Sequence, residues 1–261
     1  MQASGRRTIV WLLLGMAAVG GCAAPSRQRL DTPIVVGKVR GVVFTCDGSG
    51  SFCGTSESLK EAVLEEGVPL RVETVPWGHG PGRILADQID LAHAEREGCL
   101  LAGQVAALRQ SCPHLEIYLI GHSAGCQVAL IAAAHLPPNS VHRIVLLAPS
   151  VSKDYDLRPA LIAARHGIDV FYSERDVLQL GLGVGLIGTA DRRWTAAAGR
   201  VGFEPQVATA ADAVLYQKLR QHPWHPCVAW TGNHGRHYGV YAIPFLRAYV
   251  LPLLSTPRAN G

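Results

Sequence analysis

The residue in this sequence best placed to do chemistry is Ser123. It stands in Gly-His-Ser-Ala-Gly, residues 121–125, between an apolar run at 116–120 and an Ala-rich run at 126–131. A strand, a sharp turn and a helix in this order would hold the serine at the apex of a strained turn, where only very small residues fit two positions away on either side. Such a serine can act as a nucleophile. The amide of Ala124, at the helix N-terminus, could hold a developing oxyanion.

A serine hydroxyl is a weak nucleophile, so it needs a base, usually a histidine that a carboxylate orients. Two histidines follow the last predicted strand, and we favour His237 over His234 because the glycine bends before it leave more reach. For the carboxylate we favour Asp176, which ends the preceding strand. The alternative carboxylates are those of Asp169, Glu174 and Asp191.

A second oxyanion donor is expected from the loop after the first strand. Ser49 has the right place in Asp-Gly-Ser-Gly, residues 47–50, and Gly48 is the alternative. The same four residues are also typical of an ordinary turn. His122 is next to the serine, but on so tight a turn it points elsewhere, and we interpret it as a supporting neighbour.

Strands and helices alternate along the chain. Apolar runs predict six strands, at 42–46, 70–77, 116–120, 143–149, 168–173 and 227–230. Helices are predicted from Thr55 or Ser56 onward, and at 83–110, 126–135, 160–165, 208–221 and 243–254. This alternation indicates the α/β class, with a mostly parallel sheet covered on both faces and active loops at the carboxyl ends of its strands.

Taken together, these features resemble an α/β-hydrolase over residues 39–254, with residues 121–125 as the nucleophile elbow. The resemblance implies a serine hydrolase in which Ser123, Asp176 and His237 cleave a small carboxylic ester, with Ala124 and Ser49 at the oxyanion. It implies no cofactor. One departure is Asp-Gly at 47–48, where many members of the family have His-Gly, and it leaves the identity of the second donor open.

The segment where such enzymes insert a lid is short here, at 150–167, so we expect no large lid domain. An apolar stretch at 180–187 could line an acyl pocket or form a packed loop. Residues 183–188 also match G-x-G-x-x-G, but not at the start of a βαβ unit, so a dinucleotide site is not expected.

The first 21 residues have the pattern of a signal peptide, with Arg6 and Arg7 before an apolar run that ends near Val19. The sequence Val-Gly-Gly-Cys that follows resembles the lipobox of bacterial lipoproteins and implies lipidation of Cys22. We therefore expect a tether at 22–38, a hydrolase domain at 39–256, and an exported protein held on the membrane by its lipid. If the segment is a plain secretory signal, the protein is secreted.

The composition limits the classes of binding partner that we expect. The net charge is +4 over 261 residues, without a run of basic residues, so nucleic-acid binding is not expected. An exported chain permits disulfides, and the short loops 46–53 and 99–112 would be natural local pairs of cysteines, whereas Cys126 in the elbow helix is expected to be a buried free thiol.

Two other hypotheses about function are weighed against the serine hydrolase. His222, His225, His234 and His237 bracket Cys227, but prolines interrupt the first pair, so a metal site is not expected. A catalytically inactive hydrolase fold that serves as a surface binding module is the main alternative. It would keep the elbow and lack a competent triad.

The lipobox interpretation predicts that Cys22→Ser abolishes incorporation of an alkyne-tagged fatty acid when the full chain is produced in a bacterium. The variant should also leave the membrane fraction, because the acyl chains supply the anchoring energy at about 0.8 kcal/mol per buried methylene group. Label that persists in Cys22→Ser, or an unlabelled wild-type protein released into the medium, would contradict this interpretation.

Overall fold

The structure, a computed structural model, describes residues 39–177 and 188–254. Six parallel strands form one sheet in the order β2-β1-β3-β4-β5-β6. The strands are β1 (Gly41–Cys46), β2 (Leu70–Thr74), β3 (Glu116–His122), β4 (Arg143–Leu147), β5 (Ile168–Tyr172) and β6 (Leu219–Pro223). The predicted parallel sheet is confirmed.

Helices connect the strands and cover the sheet. They are α1 (Gly54–Glu65), α2 (Ile84–Ile89), α3 (Leu91–Ser111), α4 (Gly125–Ala134), α5 (Arg158–Ala163), α6 (Ala198–Val201) and α7 (Ala210–Tyr216). A C-terminal helical segment follows, α-helical over Ile243–Phe245, π-helical over Leu246–Val250 and 3₁₀ over Leu251–Leu254. No helix in the described part of the chain has both the length and the apolar character needed to cross a membrane.

Both faces of the sheet are buried, which explains why the central strands read as continuous apolar runs. On β3, Ile117 and Leu119 belong to the core cluster that also contains residues of α3 and α4. The alternate residues Tyr118 and Ile120 belong to a second cluster, with residues of α1 and the C-terminal segment. Successive side chains of a strand point to opposite faces, so one apolar strand contributes to both cores.

The sheet has a switch point between β1 and β3. The chain leaves β1 toward β2 on one side and later returns to pair β3 with the other side of β1. The connections on the two sides of such a point diverge and leave a crevice at the carboxyl ends of the strands. The loops after Cys46 and His122, which end β1 and β3, therefore meet at this crevice.

The expected absence of a large lid between β4 and β5 is confirmed. Residues 148–167 contain one short helix, α5, and otherwise run directly to the next strand. The apolar stretch at 180–187, which the sequence associates with an acyl pocket, lies outside the described residues.

The prediction of a sixth strand at 227–230 is wrong. The strand is β6, Leu219–Pro223, and Pro226–Thr231 forms a 3₁₀ helix instead. The apolar residues after Pro226 resemble a strand in sequence, whereas β6 is an edge strand with polar side chains. Its Arg220 and His222 bond to Asp169 on β5 rather than contributing to an apolar core.

The predicted helix at 83–110 is two helices, α2 and α3, separated at Asp90. That residue has ψ 81°, and its side chain accepts a hydrogen bond from the His93 amide, so it caps α3. Gly98 does not break α3. A Cβ there would lie 2.5 Å from Cγ2 of Ile131, so the glycine lets α3 and α4 pack closely. The helix predicted at 208–221 likewise ends early, at Tyr216.

The two disulfides expected from loop length do not form. Cys46 and Cys126 are buried free thiols, and Cys99 and Cys112 are also free. The expectation for Cys126 is confirmed. Burial raises the pKa of Cys46 and of Cys126, because a thiolate loses its hydration there, so both stay neutral.

Gly167, immediately before β5, has φ +85°, and a Cβ there would lie 1.9 Å from the carbonyl oxygen of Lys218. Gly67 has φ +61° with no atom within 4 Å of its Cβ position, so it is a matched control. We expect Gly67→Ala to cost about 1 kcal/mol of unfolding free energy, from φ strain alone. Gly167→Ala should cost about 1–3 kcal/mol more, from displaced backbone. Urea unfolding measures both, and equal losses would contradict the contact.

Candidate active site

The turn after β3 is strained at its serine. Ser123 has φ +52°, a conformation that costs energy for a residue with a side chain. The two glycines of the motif permit the turn. A Cβ on Gly121 would lie 2.5 Å from Cα of Cys126, and one on Gly125 would lie 2.1 Å from the carbonyl oxygen of Cys46. Both distances are shorter than any real contact, so only glycine fits either position.

The structure brings Asp176 and His237 together. Nδ1 of His237 lies 2.6 Å from Oδ2 of Asp176, and both side chains are buried. A carboxylate only accepts, so Nδ1 donates, and Nε2 remains available to accept a proton. Among the described residues the Ser123 hydroxyl has no hydrogen-bond partner. The bond between serine and base that the chemistry needs is therefore not formed here, as is common before substrate binds.

The alternative residues are engaged or exposed. Oδ1 of Asp191 accepts from the Ser152 amide. His234 is exposed, whereas His237, three residues later, is only 4% exposed. Asp169 binds Arg143, Arg220 and His222. Although burial raises its pKa, these bonds outweigh that effect and hold it well below the ordinary value.

His122 connects the elbow to the loop that carries His237. Its Nε2 lies 3.2 Å from the backbone carbonyl oxygen of His237, and the two rings lie 4.9 Å apart. A carbonyl only accepts, so Nε2 of His122 carries the hydrogen. Burial, together with the smaller effect of the neighbouring His237, lowers the pKa of His122 to about 3 despite the carbonyl bond. A neutral His122 therefore bonds the backbone of His237 to the residue that precedes Ser123.

The two backbone amides that the sequence assigns to the oxyanion are unused. Within the described ranges, neither the amide of Ser49 nor that of Ala124 donates a hydrogen bond. The loop after β1 also touches the serine, since a Cβ added to Gly48 would lie 3.3 Å from Cβ of Ser123. Ala124 immediately precedes the first residue of α4. Both amides are therefore available to donate to an oxyanion.

Asp47, where the sequence departs from the common His-Gly pattern, begins this loop and supports it. Its Oδ1 accepts from the amides of Thr55 and Ser56 at the start of α1, at 2.7 and 3.1 Å. Its backbone carbonyl accepts from Nε1 of Trp77 at 2.8 Å. Burial raises the pKa of Asp47, an effect that the amide bonds oppose. This residue shapes the loop, and its side chain faces α1.

Sequence reasoning missed Asp87 and Gln88, which lie on α2 with their side chains buried. Gln88 contacts the hydroxyls of Ser49 and Ser150, at 3.5 and 3.4 Å. Nothing in the sequence distinguishes them from ordinary polar residues of a helix. On α2 the polar pair is buried, whereas the apolar Ile84 and Leu85 are exposed. This reversal is known only from the position of the helix in the fold.

No group of three or more histidine, cysteine or acidic side chains in the described ranges is arranged to hold a metal ion. The histidines that bracket Cys227 are separated by their own contacts. His222 bonds to Asp169, His237 bonds to Asp176, and Nδ1 of His225 accepts from the Cys227 amide. Most of the G-x-G-x-x-G match, residues 183–187, lies outside the described residues.

The lowered pKa of His122 predicts a pH dependence of stability. The unfolded chain binds a proton at His122 below about pH 6.5, and the folded chain does not until about pH 3, so stability is lost as the pH falls through this window. Between pH 7 and pH 5, wild type should lose about 2 kcal/mol more unfolding free energy than His122→Gln.

Urea unfolding at the two pH values measures this difference. Burial also lowers the pKa of His142, but that contribution is present in both proteins and cancels. Equal losses in wild type and His122→Gln would show that His122 titrates normally in the folded state.

Comparison with known proteins supports the assignment of the fold. Residues 77–175 match the family described as the alpha/beta hydrolase fold. A monoglyceride lipase homolog of monkeypox virus is 26% identical over 129 residues, which are 48% of this chain and 44% of the relative. The chain thus spans less than half the length of this curated relative.

Solved structures are similar at low identity. One is a Trichoderma reesei cutinase bound to a phosphonate inhibitor, at 16% identity, with 83% of this chain and 77% of the cutinase covered and a TM-score of 0.41. Another is a Xanthomonas campestris α/β serine hydrolase without a lid, at 13% identity, with 84% and 85% covered and a TM-score of 0.47. The parallel sheet, its switch point and the family match together show that this chain has the α/β-hydrolase fold.

Proposed function

We propose that this protein is a serine hydrolase that cleaves a carboxylic ester. The observation that carries the proposal is the buried hydrogen bond between His237 and Asp176, on a loop that His122, the residue before the strained serine, bonds through the His237 carbonyl. A histidine oriented in this way is the base that a serine nucleophile requires. The family match supports a hydrolase, and the name of the viral relative is consistent with an ester as its substrate.

In the proposed reaction, Oγ of Ser123 attacks the ester carbonyl carbon while Nε2 of His237 takes the hydroxyl proton. Asp176 stabilises the imidazolium through Nδ1. The carbonyl oxygen becomes an anion that the amides of Ala124 and Ser49 hold. These donors act most strongly in the transition state, because that is where the charge develops.

Collapse of the tetrahedral intermediate breaks the bond to the alcohol, which leaves with the proton from His237. An acyl group then remains on Ser123. Water attacks this acyl-enzyme with His237 again as base, and the products are the free acid and the original serine. The sequence of steps needs no cofactor, and each proton moves between groups of this chain, the substrate and water.

The connection between β4 and β5 bears on the substrate. Within this described segment, residues 148–167 form no lid domain. A hydrolase without a lid in this connection favours small, soluble acyl esters over substrates that must first open a lid. We also propose that the hydrolase acts at a membrane surface, held through Cys22 by the tether at 22–38.

The proposal predicts that a fluorophosphonate probe labels the domain from about residue 30, and that Ser123→Ala abolishes labelling. His237→Ala should lower ester hydrolysis by about 10⁴-fold or more, because serine and base act as a unit. His234→Ala is the matched control and should retain nearly full activity, since its side chain is exposed.

The outcomes separate the remaining alternatives. Loss of activity in His234→Ala with retention in His237→Ala would assign the base to His234. A folded wild-type protein that neither reacts with the probe nor cleaves p-nitrophenyl acetate would overturn the hydrolase proposal in favour of an inactive binding module.

A further inference from the structure

A carboxylate on α2 holds the loop that contains Ser49. Oδ2 of Asp87 accepts a hydrogen bond of 2.7 Å from the amide of Gly50, the residue that follows Ser49. We propose that Asp87 is a positioning residue for the oxyanion hole, which it serves by fixing the peptide between Ser49 and Gly50. This inference rests on the proposed function, because it concerns the donor that stabilises the oxyanion.

The Asp87 carboxylate accepts from three N–H groups in all. Its Oδ1 accepts from the backbone amide of His79 at 2.7 Å and from Nδ1 of the same residue at 2.8 Å. The side chain of Asp87 has no solvent exposure. A buried carboxylate that accepts from three N–H groups is fixed in orientation, and hydrogen bonds to a charged acceptor are stronger than neutral ones.

The loop is held at Gly50 from two directions. Its amide donates to Asp87, and its carbonyl oxygen accepts from the amide of Gly82 at 3.0 Å. Gly50 has φ +92°, a conformation that favours glycine. The neighbouring Gly78 leaves room for this approach, because a Cβ there would lie 2.5 Å from Oγ of Ser51 and 3.0 Å from Oδ2 of Asp87.

Helix α2 also contacts the elbow from its next residue. Gln88 reaches the hydroxyl of Ser49 and that of Ser150, and the amide of Ser150 donates to the carbonyl oxygen of Ser123 at 3.2 Å. The two sides of the candidate oxyanion hole are therefore joined through adjacent residues of one short helix. A displacement of α2 would move the donor of Ser49 relative to the nucleophile.

His79, which donates to Asp87, also contacts a second histidine and a second carboxylate. Nε2 of His79 lies 3.2 Å from Oδ2 of Asp90, and its ring lies 3.9 Å from that of His93. Asp90 thus shares His79 with Asp87, yet its bonds go to His79 and to the His93 amide rather than to the loop. It is also 41% exposed. Asp90 therefore provides a matched control, a second carboxylate on the same histidine without contact to Gly50.

The test compares Asp87→Asn with Asp90→Asn in the full chain. An asparagine can turn only one acceptor oxygen toward three donors, so Asp87→Asn must lose the bond to Gly50 or those to His79. Asparagine is a good helix cap, so Asp90→Asn keeps its bond to the His93 amide. Fluorophosphonate titration counts the active sites in each preparation, and kcat and KM for p-nitrophenyl acetate are then expressed per titrated site.

For Asp87→Asn we expect kcat per site to fall by about 10–100-fold with KM nearly unchanged, because a weakened oxyanion donor costs up to about 10²–10³-fold. The inhibition constant of an alkyl boronic acid, which forms a tetrahedral adduct with serine, should rise by a similar factor. Asp90→Asn should match wild type in both measurements. A role limited to stability would lower the number of titrated sites and leave kcat per site unchanged.

A kcat per site within twofold of wild type in Asp87→Asn would overturn the inference, while the labelled and active wild type would leave the proposed function standing. If Asp87→Asn does not fold, Asp87→Ser provides the same comparison, since water can enter the vacated space and solvate the freed amides. The same twofold criterion then applies. Absence of labelling in wild type would instead reject the proposed function itself.

Discussion

The structure depends on how closely β1 and the elbow approach each other. A Cβ on Gly125 would lie 2.1 and 2.3 Å from the carbonyl oxygens of Cys46 and Asp47, so the first turn of α4 sits directly against the end of β1. This contact exists because β1 and β3 are neighbours across the switch point of the sheet. It sets Ser123 beside the loop that begins at Asp47, and no residue with a side chain could replace the glycine without moving one of the two.

The carboxylates near the site each have a different set of hydrogen-bond partners. Asp176 bonds to His237, and Asp87 and Asp47 hold the loop after β1. Asp169 bonds to side chains of the two neighbouring strands, β4 and β6. Asp191 bonds to Ser152. Each of these carboxylates is therefore held by its own donors, and among the described residues Asp176 is the one that bonds to His237. The neutral His122 completes this arrangement because it joins the elbow to the loop of His237 without adding a charge.

The fold and the site could be predicted from the sequence where the local residue pattern and the order of strands and helices indicate the same structure. The elbow could be predicted because strand, turn and glycine spacing all require one conformation, and its position in the parallel sheet followed from the alternation of elements. The strand β6 could not be predicted, because its Arg220 and His222 are polar. Their partner, Asp169, is 51 residues away along the chain from Arg220. The break at Asp90 was hidden for a similar reason, because the apolar pattern continues across it. Asp87 and Gln88 acquire their roles only through contacts with another loop.

The difference between buried and exposed cysteines can be used for selective labelling. The reactive form of a cysteine is its thiolate, which burial disfavours at Cys46 and Cys126, the two thiols beneath the elbow. Cys99 and Cys227 are exposed, on α3 and on the 3₁₀ helix after β6. A maleimide reagent should therefore modify these two positions and spare the elbow once the partly exposed Cys112 is replaced by serine. Paired fluorophores attached there would report the distance between α3 and the 3₁₀ helix after β6 while Ser123 remains chemically intact.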